Sequence, residues 1–266
     1  MSKTLTHFGF KHFPLDKSQK NLWDDGAITH LKSRFEWLLE SPGVGLFTGE
    51  AGVGKTAALR TLTASLNPHR YQLLYLAETD FGRLDIYRTL AQSLGLEPCY
   101  RRAQLWRDLK SHIETITASQ TLLPVWIIDE AQNLPPDFFR DFPAFLNFAF
   151  DSKDLLTVWL VGHPHLATLL DKVPYAAMAS RIQVRLQLEP IVERERFVQL
   201  VKHGFEQAGC QQTLLSDSGM ELLHQASAGI PRKASRIIMT TMKLAAAKGQ
   251  NHLPDDIIQE AINSLR

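Results

Sequence analysis

A glycine-rich stretch followed by lysine and threonine is the first part of the sequence whose residue types and spacing indicate chemistry. Residues 49–56 read GEAGVGKT and fit the pattern G-x-x-x-x-G-K-[ST]. Glycines let the backbone curl so that its N–H groups point at phosphate oxygens, the lysine can reach the β- and γ-phosphates, and the threonine can bind Mg²⁺. The stretch therefore predicts a nucleotide-binding site made of Gly49, Glu50, Ala51, Gly52, Val53, Gly54, Lys55, Thr56 and Ala57.

Two adjacent carboxylates end an apolar run further along the chain, in VWIIDEAQ at 125–132. Asp129 at the end of a strand can hold Mg²⁺ through a water, and Glu130 can polarise the attacking water. An apolar run followed by Asp-Glu is also a common way for a strand to end, but the phosphate loop upstream favours the chemical interpretation. The pair therefore predicts nucleotide hydrolysis rather than nucleotide binding alone.

Three later polar residues are further candidates for this site. His163 ends the apolar run VWLVGHP, Arg181 precedes the last predicted strand, and Arg232 lies at the start of a predicted helix in GIPRKASR. An arginine that reaches a γ-phosphate stabilises charge in the transition state. A turn histidine and surface arginines remain the alternative interpretation of these three positions.

The elements that must position these residues follow from the hydrophobic pattern. Near-continuous apolar runs predict parallel strands covered on both faces, and they occupy 43–49, 71–78, 122–130, 155–162 and 181–190. Segments with helical period lie between them, at 27–40, 56–66 and 83–95. Strands that alternate with helices predict an α/β fold with a wound parallel sheet.

The pattern changes after Pro190. Four amphipathic segments with start and stop signals follow, at 192–209, 216–229, 231–249 and 254–266. Ser216 is a predicted N-cap, Pro231 and Pro254 occupy first-turn positions, and glycines end the first three segments. We therefore predict an α/β nucleotide-binding domain over 1–190 and a small all-helical lid domain over 191–266.

Composition limits the classes of partner. The 29 Lys and Arg residues nearly balance the 28 Asp and Glu residues, so any contact with nucleic acid requires a local patch. Cys99 and Cys210 lack metal-ligand spacing and favour a reduced compartment. The sequence lacks a signal-peptide pattern and an apolar run of the roughly 20 residues that span a bilayer. A cytoplasmic location without a membrane contact is expected.

The best local candidate for DNA contact is PCYRRAQLWRDLKSH at 98–112. Cations and aromatic residues alternate there on a predicted helix, which allows backbone contacts without base recognition. The candidate DNA-binding residues are Arg101, Arg102, Arg107 and Lys110. A solvated helix face is the equally good alternative.

Two phenylalanine-rich stretches are better explained by packing. Phe138, Phe142, Phe145 and Phe148 share one helical face, which favours a core helix against the sheet over a docking surface for a partner. The phenylalanines of FGFKHFPLD, at 8–16, favour an apolar clasp on the core.

The order of these motifs resembles the AAA+ ATPases over nearly the whole chain. FGFKHFPLD, IIDEAQNLPPD, VGHPHLATLL, ASRIQVRLQLEPI and ASAGIPRKASRIIMTTMKLA resemble, more narrowly, the group that contains the secretion ATPase ExeA and the transposon ATPases TniB, TnsC and MuB. The resemblance implies that His163 is the sensor-1 residue, Arg181 the trans-acting arginine finger with Arg185 as the alternative, and Arg232 the sensor-2 arginine. It also implies that FGFKHFPLD packs beside the adenine.

The resemblance implies a function as well. The secretion branch works through a membrane span and a peptidoglycan-binding region, whereas the transposon branch is short and soluble. In length and hydrophobic pattern this chain resembles the transposon branch. We therefore expect an ATP hydrolase that uses Mg²⁺ and forms a homo-oligomeric ring or helical filament on duplex DNA through sequence-nonspecific contacts. Such an assembly would act with a target-selection protein and recruit a transposase. The alternative is a secretion-pathway or signalling switch ATPase without a DNA role.

Overall fold

A computed structural model describes residues 3–17, 19, 21–119, 121–210, 212 and 214–265 of the chain. The strands are β1 (Val44–Gly49), β2 (Tyr71–Leu76), β3 (Leu123–Ile128), β4 (Thr157–Gly162) and β5 (Ile182–Leu188). The helices before the last strand are α1 (Lys3–Phe8), α2 (Ala27–Glu40), α3 (Lys55–Thr63), α4 (Arg83–Ser93), α5 (Arg102–Ser119), α6 (Pro136–Phe145), α7 (His165–Leu170) and α8 (Ala176–Ala179). The helices after it are α9 (Arg194–Gln207), α10 (Asp217–Ser227), α11 (Pro231–Ala247) and α12 (Asp255–Ser264).

All the strand pairs are parallel, and the strands lie in the order β2-β3-β4-β1-β5. The carboxyl ends of β3 and β4 are therefore neighbours, since Ile128 pairs with Leu160. The five predicted strands and the wound α/β fold are confirmed. Parallel strands need covered faces, and every residue of β1 and β4 is buried.

Alternation along the strands divides the sheet core into two faces. Trp126, Ile128, Val158 and Leu160 lie in one apolar cluster with residues of α4, α5, α6 and α7. The intervening side chains point to the opposite face, where Trp159 stacks on Phe35 of α2 with the ring centroids 5.5 Å apart. Both faces are thus closed by helices.

The phenylalanine-rich helix α6 lies on the first of these faces. Phe138, Phe142 and Phe145 are fully buried, and Phe148 is 1% exposed although it follows the end of the helix. Phe138 and Phe142 stack with their ring centroids 4.7 Å apart. The core interpretation of this segment is confirmed, and it leaves these four side chains unavailable for a partner.

The chain forms two compact units. One contains Gly26–Gly49 and Leu62–Leu188, with the whole sheet, and the other contains the described residues of Met1–Asp25, Glu50–Thr61 and Glu189–Arg266. The second unit brings the N-terminal segment and the phosphate loop together with the C-terminal helices. The sequence boundary at 190 is a different division, and it stays a prediction.

The second unit has its own core, built by α9 to α12. Phe10 is 3% exposed and packs edge-on against Phe205 of α9, while Phe8, Phe13 and Leu15 lie against the same cluster. This contact supports the predicted clasp, which here covers the C-terminal helices. The predicted N-cap is also confirmed, because Oγ of Ser216 accepts a hydrogen bond from the Gly219 N–H at the start of α10.

None of the helices in the described part of the chain is long and apolar enough to cross a membrane.

Candidate active site

The phosphate loop connects β1 to α3, and its backbone depends on glycine. Gly52 and Gly54 have φ angles of +91° and +112°, a region that side chains with a Cβ rarely adopt. An added Cβ at Gly54 would meet no atom within 4 Å, so the space beside this turn is open. The loop therefore has the curled backbone that a phosphate requires, with open space beside Gly54.

Lys55 is the first residue of α3, and its side chain is largely enclosed. The residue is 8% exposed, and its Nζ donates a hydrogen bond to the carbonyl oxygen of Glu50, 3.1 Å away. This contact folds the ammonium back over its own loop, beside the N-terminal end of a helix. The ammonium, the loop and the helix end are a donor set that fits nucleotide phosphates.

The start of α11 contacts the same loop within this unit. The Arg232 N–H donates to the carbonyl oxygen of Gly52 at 3.2 Å, and an added Cβ at Gly52 would lie 2.8 Å from Cβ of Arg232. The structure thus brings the predicted sensor-2 arginine to the predicted phosphate loop. Glycine at position 52 is needed for this close approach as well as for its φ angle.

In the sheet unit, Asp129 follows the last residue of β3 and is 5% exposed. Its Oδ1 accepts a hydrogen bond from the Glu130 N–H at 3.0 Å, and its Oδ2 accepts one from the hydroxyl of Tyr75 at 2.9 Å. Both oxygens are therefore held in place by donors. A fixed carboxylate at a strand end is a ligand of the hard-oxygen type that Mg²⁺ prefers.

Tyr75 belongs to β2, the strand beside β3. Burial of its hydroxyl raises the pKa of Tyr75 to about 12, and the hydrogen bond to Asp129 and the charges of Asp129 and Glu130 act in the same direction. The phenol therefore keeps its proton and donates to Asp129 throughout the physiological pH range.

Glu130 adopts a left-handed backbone conformation, with φ 51° and ψ 37°. This conformation costs a residue other than glycine about 1 kcal/mol, and it is held by two hydrogen bonds to the Glu130 carbonyl oxygen. Oγ1 of the buried Thr79 donates one of them at 3.0 Å, and the Asn133 N–H donates the other at 2.9 Å. The turn directs the Glu130 side chain out of the strand, where it is exposed.

Gln132 connects Glu130 to the end of β4. Its Nε2 donates to Oε2 of Glu130 at 2.6 Å, and its Oε1 accepts from the His163 N–H at 3.0 Å. The ring of His163 is exposed, and its Nδ1 accepts a hydrogen bond from the His165 N–H at 3.4 Å. The structure thus brings Asp129, Glu130 and His163 to one edge of the sheet, and their roles stay predictions.

The two candidate finger arginines form ion pairs with their own unit. Nη2 of Arg181 lies 2.9 Å from Oδ1 of Asp151, and Nη1 of Arg185 lies 2.8 Å from Oδ1 of Asp171. Both pairs are partly exposed, so each pair can open at a small energetic cost. The geometry therefore does not distinguish Arg181 from Arg185 as the candidate arginine finger.

The four predicted DNA-binding cations have different surroundings. Arg102 pairs with Asp141 and lies over the ring of Trp106, with 4.8 Å between its Cζ and the ring centroid. Lys110 donates to the Asn147 carbonyl oxygen, and burial lowers its pKa. Arg101 and Arg107 are exposed, and Arg107 donates to Oε1 of Gln104 at 3.0 Å. The structure therefore separates two partly buried cations, Arg102 and Lys110, from two exposed ones.

Three residues that contact the acidic strand end are absent from the sequence predictions. Tyr75 lies in an apolar strand, Thr79 in a loop, and Gln132 two positions after Glu130. The alternation of YQLLYL gives the one available signal, since it places Tyr75 and Leu73 on a different side from the buried Leu74 and Leu76. Neither Thr79 nor Gln132 has a comparable signal, because their roles depend on contacts between different elements.

Among the residues that the structure describes, no group of three or more His, Cys, Asp and Glu side chains is arranged to hold a metal ion. Mg²⁺ in phosphate-transfer sites needs only one or two protein oxygens, because waters and substrate phosphates complete its coordination. The hydroxyl of Thr56 and the carboxylate of Asp129 are oxygen ligands of that kind. Each residue, in its own unit, therefore has the chemistry that a magnesium nucleotide requires.

Comparisons with known proteins agree with this geometry. Residues 39–170 match the family model of the AAA domain. The chain is 29% identical over 230 residues to the general secretion pathway protein A of Aeromonas hydrophila, a match that covers 85% of this chain and 41% of that protein. The chain thus spans about two fifths of the length of this curated relative.

Solved structures share the fold. The Cdc6p protein of Pyrobaculum aerophilum superimposes with a TM-score of 0.70 and 17% identity, over 97% of this chain and 70% of that chain. The Drosophila ORC bound to DNA gives a TM-score of 0.75 and 16% identity, over 99% of this chain and 66% of that chain. The match over residues 39–170 and the shared fold therefore agree that the chain has the α/β fold of P-loop AAA+ ATPase structures.

Proposed function

We propose that this protein hydrolyses ATP and is a nucleotide-controlled switch that assembles with copies of itself on duplex DNA when it holds ATP. The observation that supports the proposal is the similarity of fold over 99% of the chain to the Drosophila ORC, whose structure is bound to DNA. The near balance of charge means that DNA must be held by a local group of cations and not by the molecule as a whole.

Within this proposal the phosphate loop, Gly49 to Ala57, binds the phosphates, and Lys55 lies against the β- and γ-phosphates. Thr56 and Asp129 would hold Mg²⁺, which would supply positive charge to neutralise the phosphates. Glu130 is the general base that takes a proton from the attacking water.

Three further residues take part in the proposed reaction. His163 senses the γ-phosphate from the end of β4, and Arg232 does so from the start of α11. Arg181 of a neighbouring copy, or Arg185 in its place, stabilises the charge of the transition state. A finger supplied by a neighbour requires head-to-tail contacts, which produce a ring if the rotation closes and a helical filament if it does not.

Contact with DNA would be made through the phosphate backbone. Arg101 and Arg107 are exposed and are the first candidates, whereas Arg102 and Lys110 would have to leave the contacts that hold them in their own unit. Binding of this kind depends little on sequence and falls steeply with salt. The biological output would be the choice of a transposition target, with a target-selection protein and a transposase as partners in the cytoplasm.

ATP turnover with and without duplex DNA tests the proposal. We expect duplex DNA to raise the steady-state rate several-fold and to produce, with ATP, an oligomer that electron microscopy resolves as a ring or a filament. Single-stranded DNA of the same composition and length is the matched control. An unchanged rate together with no ATP-dependent oligomer on duplex DNA would exclude this function.

The second candidate is a secretion-pathway switch whose output is its nucleotide state. The identity of 29% over 85% of this chain to general secretion pathway protein A favours it. This function predicts ATP turnover that is the same with and without DNA. The same experiment therefore separates the two candidates.

A further inference from the structure

We infer that Gln132 is a positioning residue for ATP hydrolysis, which fixes the Glu130 carboxylate and ties it to the end of β4. The inference rests on the proposed role of Glu130 as the general base. Gln132 itself need not touch the nucleotide or the attacking water. It acts through the carboxylate that it holds.

The two hydrogen bonds of Gln132 require both ends of an amide. The Glu130 carboxylate can only accept, so Gln132 must present its N–H to Oε2, 2.6 Å away. The His163 N–H can only donate, so Gln132 must present its oxygen there, at 3.0 Å. One orientation of the amide satisfies both neighbours at once, and a carboxylate of the same length would place an acceptor against Glu130.

The strand order of the sheet places the Gln132 side chain beside the end of β4. Strands β3 and β4 are neighbours, and Gln132 lies in the short turn after β3, facing Gly162 at the end of β4. An added Cβ at Gly162 would lie 2.4 Å from Oε1 of Gln132. Glycine at position 162 therefore leaves the room in which the amide reaches the His163 N–H.

The backbone of Glu130 is held independently of Gln132. Thr79 and the Asn133 N–H donate to the Glu130 carbonyl oxygen, and the Glu130 N–H donates to Asp129. Removal of the Gln132 amide thus leaves the turn in place and releases the carboxylate. The exposed side chain of Glu130 would then occupy several rotamers, of which few direct the carboxylate at the attacking water.

The primary experiment compares Gln132→Ala and Gln132→Glu with the wild type in steady-state ATP turnover. We expect kcat to fall about tenfold and KM for ATP to change less than twofold, since a displaced catalytic group slows the reaction without removing uniform binding. Gln132→Glu should be at least as slow as Gln132→Ala. Gln92→Ala, an exposed glutamine on α4, is the matched control and should retain the wild-type kcat.

A double-mutant cycle separates positioning from a general structural effect. In the Glu130→Gln background, Gln132→Ala should cause no further loss of kcat, because the group through which it acts is already gone. Gly162→Ala should reproduce the loss of Gln132→Ala by displacing the amide, without changing any polar group. These variants also keep the inference testable if Gln132→Ala fails to fold.

The outcomes distinguish this inference from the proposed function. An unchanged kcat in Gln132→Ala, beside an inactive Glu130→Gln, would overturn the role of Gln132 and leave Glu130 as the base. An equal fractional loss from Gln132→Ala in both backgrounds would also overturn it. Normal turnover in Glu130→Gln would instead exclude the proposed base.

Discussion

The acidic end of β3 and the basic residues at the start of α5 are both short groups of charged residues in the same unit, but their side chains are held by different kinds of contact. Asp129 and Glu130 are held by hydrogen bonds from β2, from the loop after it and from the turn that follows β3. The four candidate DNA-binding cations, of which Arg101 precedes α5 and the other three lie on it, divide instead into two that contact the residues of and after α6 and two that face solvent. The first group is held by donors from three different segments, whereas the second is held only where it contacts α6 and the residues after it.

The difference has a physical cause. Residues at the carboxyl end of a buried parallel strand have their backbone fixed by the sheet, so donors on neighbouring strands can reach them with defined geometry. Cations on a helix surface find partners wherever a carboxylate or an aromatic ring lies within reach. Charge in a sequence is therefore a stronger indication of function at a strand end than along a helix.

Glu130→Gln should produce the largest effect. It replaces the proposed base by a neutral amide of the same size, so we expect ATP binding to persist and turnover to fall on the order of 100-fold or more. Equilibrium binding of a fluorescent ATP analogue and steady-state phosphate release measure the two quantities.

Two further variants serve as controls for Glu130→Gln. Glu114→Gln removes an exposed carboxylate of α5 and should leave turnover unchanged. Lys55→Ala removes the ammonium from the phosphate loop and should lose ATP binding itself. Equal effects of Glu130→Gln and Glu114→Gln would remove the functional distinction between the two regions.

The exposed and the partly buried cations among these four should differ in DNA binding. Under the proposed function, Arg101→Ala together with Arg107→Ala should weaken duplex binding about tenfold and reduce the slope of log K against log salt by about 2. Fluorescence anisotropy over a salt series measures both. The matched pair, Arg102→Ala with Lys110→Ala, should lower the Tm more and the DNA affinity less, because it removes an ion pair and a contact over Trp106. The reverse ranking would show that Arg102 and Lys110 leave their partners to bind DNA.

Tyr75→Phe, next to the acidic end of β3, should produce the smallest effect of these substitutions. Loss of the hydrogen bond to Asp129 should raise the Mg²⁺ concentration for half-maximal turnover roughly two- to fivefold. The expected increase in this Mg²⁺ concentration is smaller than for a buried side chain that holds a metal ligand, because Tyr75 is 51% exposed and water can replace its hydroxyl.

A pH series sharpens the same prediction. The pKa of Tyr75 is raised from 10 to about 12, so its contribution to stability is complete below pH 10 and is lost as the pH rises from 10 to 12. The wild type should therefore lose more unfolding free energy over that range than Tyr75→Phe, as urea titrations would show. Parallel curves would mean that the hydroxyl does not hold Asp129 in solution.

The sequence by itself determined the local features of this protein. The apolar runs predicted the five strands, GEAGVGKT predicted the loop whose Gly52 and Gly54 have positive φ, and the phenylalanine spacing predicted the buried face of α6. Each of these depends on the period of a single element or on the φ and ψ preference of a few adjacent residues. Such information is complete within a short stretch of chain.

The tertiary structure decided the contacts around the site. Tyr75 meets Asp129 because β2 lies beside β3, and Gln132 meets the His163 N–H because β4 lies on the other side of β3. Arg102 meets Asp141 because α5 and α6 cover the same face of the sheet. Each contact joins residues from different elements, so it follows from the strand order and helix packing, which no local pattern specifies.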